Sequence, residues 1–274
     1  MSYFSRLERI LFAQDPQTKI TRFRDFYEDF LSERLVFEED FCPKLQENPS
    51  YQGFCDIKHP MKIRRPKILS STPALARTLH SIAHIEYSAI DLALDASYRF
   101  MGLPMEYYRN WLEVANEEIE HFLLLESILK ELGFEYGNFS VHQNLFDAMQ
   151  ATSHSLSHRM GLVHRALEAN GLDANPFVVQ KIQSTTHPVK KKIHEVLEII
   201  LRDEISHVSK GDKWWHFSKD KNEDFGEILA RYRQFAPLSR VLNTQARIQA
   251  GYTHKELKRL QADYSSAAFS ISLS

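Results

Sequence analysis

Glu118-Ile119-Glu120-His121 and Glu204-Ile205-Ser206-His207 repeat one arrangement, a glutamate followed three residues later by a histidine. In an α-helix, residues three apart lie on the same face, one turn removed from each other. Each pair can therefore direct a carboxylate oxygen and an imidazole nitrogen at one metal ion. Two such pairs on different helices predict a bundle of helices built around bound metal.

Two further glutamates, Glu86 and Glu168, lie in two other predicted helices. Four-helix bundles that bind two metal ions take one Glu from each of two helices and a Glu-x-x-His pair from each of the other two. We therefore expect an all-α protein with a ferritin-like four-helix bundle at its centre. The expected metal ligands are Glu86, Glu118, His121, Glu168, Glu204 and His207.

Apolar residues recur with helical spacing in four long segments of the chain. Thr72 and Pro73 are typical of the start of a helix, and a short turn ending at Pro104 makes the first two helices antiparallel neighbours. Asn170-Gly171 is typical of the end of a helix. The four helices are expected at residues 72–102, 105–132, 143–170 and 187–218.

These helices divide the chain into three parts. Residues 1–71 form a helical N-terminal extension and a proline-rich segment that is expected to wrap the bundle, because helical periodicity fades there. Residues 72–218 form the ferritin-like four-helix bundle. Residues 219–274 form a helical C-terminal extension that packs on the bundle.

Three of the glutamates, Glu86, Glu118 and Glu204, fall inside the apolar stripe of their helices rather than opposite it. Burying an ionised carboxylate is costly unless a partner or a metal ion compensates its charge. Two divalent ions would neutralise the four glutamates, and carboxylate and imidazole ligands suit iron and manganese. We therefore expect two Fe ions as the cofactor, with Mn as the alternative.

Glu168 differs from the other expected ligands because it lies at the edge of its apolar stripe, close to Asn170-Gly171. The face that runs back from it carries His164, Gly161 and Ser157. Small residues there leave room for a substrate beside the metal ions, or they allow helices to pack closely. The sequence leaves both interpretations open.

Asp203 and Glu117 directly precede two of the expected ligands. Histidine ligands usually donate their second N–H to a carboxylate, which fixes the tautomer and the orientation of the ring. We expect Asp203 to bond to His121 and Glu117 to bond to His207.

The composition is ordinary for a globular protein, and the net charge and the lack of long apolar runs argue against two classes of protein. Of the 274 residues, 43% are hydrophobic and 26% are charged, and the formal net charge is -2. That charge argues against a dedicated nucleic-acid-binding protein. No signal-peptide core and no apolar run long enough to span a membrane occur, so we expect a cytoplasmic protein.

Cys42 and Cys55 are the only cysteines. Two cysteines are too few for an iron site made of thiolates alone. We expect two ordinary free thiols in a reducing compartment.

Six stretches of the chain stand out as motifs: His84–Ala96, Glu117–Phe122, Leu167–Asp173, Arg202–Val208, Asn243–Arg247 and Ala250-Gly251. They resemble motifs of a bacterial ferritin-like family that is catalogued as a domain of unknown function. The resemblance spans residues 72–262 and includes Glu168. It implies a ferritin-like bundle with a di-iron centre, and no particular substrate. The layout is similar, more distantly, to a bacterial tRNA hydroxylase that acts on isopentenyl-adenosine and to quinone-ring hydroxylases.

The leading hypothesis is an O2-activating di-iron oxidase or hydroxylase with a small-molecule substrate. A hydroxylase would need an external electron donor, because nothing in the sequence resembles a flavin or nicotinamide site and no Gly-rich phosphate loop occurs. The alternatives are a ferroxidase or peroxide-detoxifying iron-handling protein, and a scaffold in which the metal only joins helices. A tRNA-modifying hydroxylase is the nucleic-acid alternative, with phosphate contacts from the basic segment 58–67 and from Lys190-Lys191-Lys192.

Overall fold

Every regular element that the structure describes is a helix. The structure is a computed structural model that describes residues 1–235 and 241–271, with side chains up to residue 262. These ranges contain no β-strand and only two isolated bridges, Ser2 with Val36 and Ile57 with Val141. None of the helices in them combines the length and the apolar composition that a membrane crossing requires. The all-α class is therefore confirmed.

The chain folds as two units, Met1–Ser153 and His154–Ser274. The boundary falls inside the segment 72–218, whose assembly as one ferritin-like bundle stays a prediction. The helices of the first unit are α1 (Tyr3–Leu11), α2 (Pro16–Leu31), α3 (Thr72–Arg99), α4 (Met105–Glu131) and α5 (Asn144–Ala151).

The two long helices of the first unit, α3 and α4, pack closely against each other. α3 begins at Thr72 with Pro73 in its first turn, and α4 begins directly after Pro104. In the turn between them, Gly102 adopts a φ of 70°, which a glycine reaches without strain. The helices end at Arg99 and Glu131, so the predicted ranges 72–102 and 105–132 are confirmed apart from their last residues.

The segment between α2 and α3 has almost no regular structure, as its fading periodicity predicts, and its wrapping of a four-helix bundle stays a prediction. Its one helical element is a 3₁₀ turn at Pro60–Lys62. Its middle is fixed to the connection after α4, since Lys58 N–H donates to the carbonyl of Val141 (2.8 Å) and Val141 N–H donates to that of Asp56 (2.9 Å).

The predicted third helix, at residues 143–170, is wrong in its continuity. α5 ends at Ala151, and the helical chain resumes in the second unit as α6 (Leu156–His158) and a π-helix, π1 (Arg159–Leu167), followed by α7 (Ala169–Gln183). The break has a local cause, because the side chain of Ser155 accepts the N–H of His158 and starts a new helix.

The predicted end of that helix at Asn170-Gly171 is also wrong, because α7 continues to Gln183. Gly171 does not adopt the positive φ of a helix-ending glycine. It lies in the first turn of α7, and a Cβ at this position would make only an ordinary contact, 4.0 Å from the carboxyl carbon of Glu204. A glycine inside a helix and one that ends a helix look the same in a sequence.

The second unit is built around α8 (Lys190–Ser218), which begins three residues after the predicted position 187 and packs against π1 and α7. The approach is close at Gly211, where a Cβ would lie 2.6 Å from the backbone C and O atoms of His164. Three helices follow, α9 (Phe225–Arg231), α10 (Thr244–Gln249) and α11 (His254–Ile271). α9 packs on π1, and α10 packs on α7 and α8, so the C-terminal extension covers the helices of this unit.

Both cysteines carry free thiols, as expected, with Cys42 exposed and Cys55 buried. Burial raises the pKa of the Cys55 thiol to about 12, and a hydrogen bond with Tyr136 offsets only part of this effect. Cys55 is therefore protonated at neutral pH and is a weak nucleophile.

Two histidines of α3, His80 and His84, are buried by the connection that follows α4. His84 donates from Nε2 to the carbonyl of His142 (2.7 Å), and its Nδ1 lies 2.9 Å from the hydroxyl of Tyr136. His80 accepts the N–H of Gly137 at Nε2 (2.9 Å). These contacts assign both histidines to packing.

Replacing His80 with glutamine is expected to remove an acid sensitivity of the fold. Burial, followed by the charge of Arg77, lowers the pKa of His80 to about 4 from its ordinary 6.5. The unfolded chain therefore binds the proton more tightly, and the free energy of unfolding falls as the pH drops from about 6.5 to about 4. We expect this contribution to reach roughly 2 kcal/mol.

Urea unfolding of the wild type and of His80→Gln, at pH 7 and at pH 4.5, measures this contribution. Glutamine keeps an acceptor for the N–H of Gly137 and does not titrate. The variant should lose less stability on acidification than the wild type. Equal losses would contradict the assignment of the acid sensitivity to His80.

Candidate metal centre

The first unit brings together Glu86 of α3 with Glu118 and His121 of α4. One ligand atom from each of the three lies within 4.8 Å of the others. Nδ1 of His121 is 3.2 Å from Oε2 of Glu86 and 3.5 Å from Oε2 of Glu118. All three residues are at most 3% exposed, so water does not screen this cluster.

The electrostatics of this cluster reflect two carboxylates buried side by side. Burial, followed by the negative charge of Glu118, raises the pKa of Glu86 to about 7. Burial alone would lower the pKa of His121, but the two carboxylates raise it to about 12. The cluster thus attracts positive charge, which is the property that a metal site requires.

Sequence position explains why the three residues meet. Glu118 and His121 share one face of α4 because they are three apart. The residues that follow Glu86 and His121 in the sequence, Tyr87 and Phe122, pack their rings with centroids 5.1 Å apart. An aromatic contact between α3 and α4 therefore lies beside the cluster and fixes its register.

The second unit contains the other Glu-x-x-His pair, Glu204 and His207 of α8. A carboxylate oxygen of Glu204 and a ring nitrogen of His207 lie within 4.8 Å of each other, and both residues are buried. Gly211, one turn further along α8, lies against the backbone of His164 in π1. The part of α8 that carries Glu204 and His207 therefore continues directly into a close contact with π1.

Glu168 lies at the junction of π1 and α7. Its Oε1 is 2.8 Å from Nδ1 of His164, and its side chain is 7% exposed. A Cβ at Gly171, three residues later, would lie 4.0 Å from the carboxyl carbon of Glu204, and α7 packs against α8. The segment that carries Glu168 and the segment that carries Glu204 are therefore packed neighbours.

The π-helix explains why Glu168 falls at the edge of its stripe when the sequence is read with α-helical spacing. Glu168 N–H donates to the carbonyl of Val163, five residues earlier, at 3.2 Å. Turns of this kind hold more residues than an α-turn and rotate everything that follows about the helix axis. A count of 3.6 residues per turn therefore misplaces the direction of Glu168.

The two residues expected to orient the histidine ligands are half-buried. Asp203 binds the guanidinium group of Arg202 through both oxygens, at 2.8 and 3.1 Å. Glu117 lies on α4 directly before Glu118. The expected bonds of Asp203 to His121 and of Glu117 to His207 stay predictions.

The three candidates for a substrate contact lie in α6 and π1. A Cβ at Gly161 would lie 3.0 Å from Cδ1 of Trp215, so this glycine allows close packing on α8. His164 bonds to Glu168, and the hydroxyl of Ser157 lies 3.4 Å from a carboxylate oxygen of Glu223. The close-packing interpretation accounts for Gly161, and a substrate role for these residues stays a prediction.

Three buried charged residues that were not predicted from the sequence lie around the segment that carries Glu168: Arg165, Asp173 and Arg247. Both arginines are at most 4% exposed although they carry a charge. Asp173 and Arg247 belong to two of the motifs that carry the family resemblance, which was the signal that could have identified them. Arg165 carries no such signal.

The donor atoms of the six expected ligands fit iron or manganese. All six are carboxylate oxygens or imidazole nitrogens, which these metals prefer when thiolates are absent. The ligand atoms of the three residues in the first unit lie close enough together to share one ion, and all three residues are buried.

The sequence matches a family described as a protein of unknown function (DUF455) over residues 12–258. It is similar to an uncharacterized protein from Haemophilus influenzae, with 38% identity over 271 residues, covering 93% of this chain and 92% of that protein. No solved structure matches the chain. These comparisons identify the family of the chain and assign no activity to it.

Proposed function

The chain belongs to the DUF455 family of proteins of unknown function, and we propose that it is a non-haem di-iron carboxylate protein that activates O2 as an oxidase or hydroxylase. The observation that carries this proposal is the buried cluster of Glu86, Glu118 and His121. The same Glu-x-x-His spacing recurs at Glu204 and His207, which are buried as well.

The proposed centre unites the ligands of α3 and α4 with those of π1, α7 and α8 in a ferritin-like arrangement. When bound, iron would supply the electrons for the reduction of O2. Manganese fits the same donor atoms. The residues that would hold the two ions are Glu86, Glu118, His121, Glu168, Glu204 and His207.

The chain's own residues would orient these ligands and exclude water from them. Nδ1 of His164, 2.8 Å from Glu168, fixes the direction of that carboxylate. The packed rings of Tyr87 and Phe122 lie beside Glu86 and His121. An apolar surround protects a reactive centre from water and from side reactions.

A hydroxylase of this kind needs a small-molecule substrate and an external electron donor. A tRNA substrate has one specific observation in its favour. Four basic residues of the segment 58–67 are exposed and form no ion pair with a residue that the structure describes. They are Lys62, Arg64, Arg65 and Lys67. Since net charge -2 gives no general attraction to nucleic acid, the small-molecule substrate is the leading proposal.

We expect the chain to bind two Fe ions after anaerobic loading with Fe2+ and then to consume O2. Metal analysis by mass spectrometry and an oxygen electrode measure the two properties. Iron that accumulates far beyond two ions per chain would favour the ferroxidase alternative. Iron that binds without O2 uptake would favour the scaffold, and a chain that retains no metal would contradict the proposal.

A further inference from the structure

The segment that carries Glu168 is held from both sides by buried charged groups of the second unit. Arg165 precedes Glu168 by three residues, and Asp173 follows it by five. The partners of both come largely from one later stretch of chain, residues 243–256, which we call the C-terminal clamp. It comprises α10, the turn after it and the first residues of α11.

On the α7 side, the clamp contributes a bidentate ion pair between Arg247 and Asp173. Nε of Arg247 donates to Oδ1 of Asp173 (3.0 Å), and Nη2 donates to Oδ2 (2.7 Å). Both side chains are at most 4% exposed. The backbone N–H of Asn243 adds a third bond to Asp173 (2.8 Å), and its side chain donates to the carbonyl of Leu172 (3.2 Å).

On the π1 side, the guanidinium group of Arg165 is enclosed completely. It donates to Asp212 of α8 (2.5 Å) and to Glu256 of the clamp (2.8 Å). Its carbon lies 4.4 Å from the ring centroid of Tyr252 and 4.0 Å from that of Phe225. The hydroxyl of Tyr252 also donates to the backbone carbonyl of Arg165 (2.7 Å), so the clamp holds the backbone of π1 as well as its side chain.

Buried ion pairs of this kind are an inefficient way to stabilise a fold. Buried ion pairs gain little net free energy over apolar packing, because both charges lose their hydration. They do fix geometry, since a buried charge must remain with its partner. π-helical turns are rare and occur frequently at functional sites, so we expect π1 to depend on contacts that fix its geometry. The clamp supplies such contacts on both sides of the single junction where π1 becomes α7.

We propose that the C-terminal clamp maintains π1 and thereby positions Glu168, with Arg165 and Arg247 as positioning residues. The role for Glu168 rests on the proposed function, in which that carboxylate is a metal ligand. The effect of the clamp on π1 does not rest on it. The two parts can therefore be measured separately.

The test compares Arg247→Met, which keeps an unbranched apolar side chain and removes the charge, with Arg247→Lys, which keeps the charge and loses the bidentate geometry. Arg259→Met is the matched control. Arg259 lies in α11 and, like Arg247, pairs with an aspartate, Asp224, but this pair is exposed and lies at the start of α9. Asp173→Asn, with an unchanged side-chain volume, provides the same test if Arg247→Met does not fold.

Hydrogen exchange of the metal-free protein provides the first readout. In Arg247→Met, the amides of residues 159–168 should exchange about tenfold faster or more, whereas those of α3 and α4 should be unchanged. Arg247→Lys should fall between Arg247→Met and the wild type, and Arg259→Met should match the wild type. Unchanged exchange at residues 159–168 would overturn the clamp, whether or not the protein binds metal.

Binding of Co2+, used as a spectroscopic probe, provides the second readout. Arg247→Met should weaken one of the two binding events by about 10-fold or more, as is typical when a group that orients a ligand is lost. The visible absorption of the bound Co2+ should change as well, because it depends on the number of ligands, and Arg247→Lys should restore part of the original spectrum.

The two readouts separate the possible failures. Faster exchange at residues 159–168 with wild-type Co2+ affinity and spectrum would overturn the positioning role while leaving the clamp intact. A wild-type protein that binds no Co2+ and no Fe2+ would contradict the proposed function instead, and with it the role of Glu168. The exchange result would then still decide whether the clamp maintains π1.

Discussion

Glu118→Ala is expected to lower the metal content of the loaded protein from two ions per chain to one or none. Glu118 is fully buried, and its Oε2 lies 3.5 Å from Nδ1 of His121. Alanine removes a charged oxygen donor and leaves a gap that cannot bind a cation. Glu204→Ala should have the same effect on the α8 side. Metal analysis after anaerobic Fe2+ loading and removal of loosely bound iron measures both variants.

Two variants provide matched controls for this loss. Glu120→Ala removes an exposed carboxylate two residues from Glu118 in α4, and Glu198→Ala removes an exposed one in α8. Both should retain two ions per chain. Circular dichroism and the unfolding midpoint show whether each variant is folded. If the folded Glu118→Ala and Glu204→Ala variants both kept two ions, the ligand assignment would be wrong.

The parts of the fold that could be predicted from sequence depend on local signals. The beginnings of α3 and α4 are marked by Thr72-Pro73 and Pro104, whose effects act on the neighbouring residues only. The pairing of Glu118 with His121 is likewise local, since helical geometry alone brings residues three apart together. The contact between Glu86 and His121 follows because a short turn makes α3 and α4 neighbours.

The parts that could not be predicted depend on contacts between distant residues. π1 has no local signature in the sequence. Its residue Arg165 bonds to Asp212 and Glu256, which lie 47 and 91 residues further along the chain. Gly171 reads as a helix end, yet it lies inside α7 beside Glu204. In both cases tertiary packing overrides the local preference of the chain.

Gly211→Ala is expected to lower the free energy of unfolding by about 3 kcal/mol and to weaken metal binding. A Cβ at this position would lie 2.6 Å from both the carbonyl C and the carbonyl O of His164. These are backbone atoms and cannot rotate away, so α8 and π1 must separate. Alanine gains up to about 1 kcal/mol of helix propensity over glycine, which does not offset this clash.

Gly171→Ala is the matched control, because it makes the same substitution in the interior of a helix of the same unit. A Cβ there would lie 4.0 Å from the nearest atom, the carboxyl carbon of Glu204, which is an ordinary contact. This variant should be as stable as the wild type or slightly more stable. Urea unfolding of the metal-free proteins gives the comparison, and equal stability of the two variants would contradict the tight contact at Gly211.

The effect of Gly211→Ala on metal binding follows from what its clash displaces. His164 is the residue that the new Cβ would push, and its Nδ1 holds Oε1 of Glu168 at 2.8 Å. A shift of π1 therefore moves Glu168 relative to Glu204 and His207 on α8. If Glu168 is a ligand, Gly211→Ala should lose metal affinity under conditions where it is still folded. Wild-type affinity in a destabilised but folded variant would instead remove Glu168 from the ligand set.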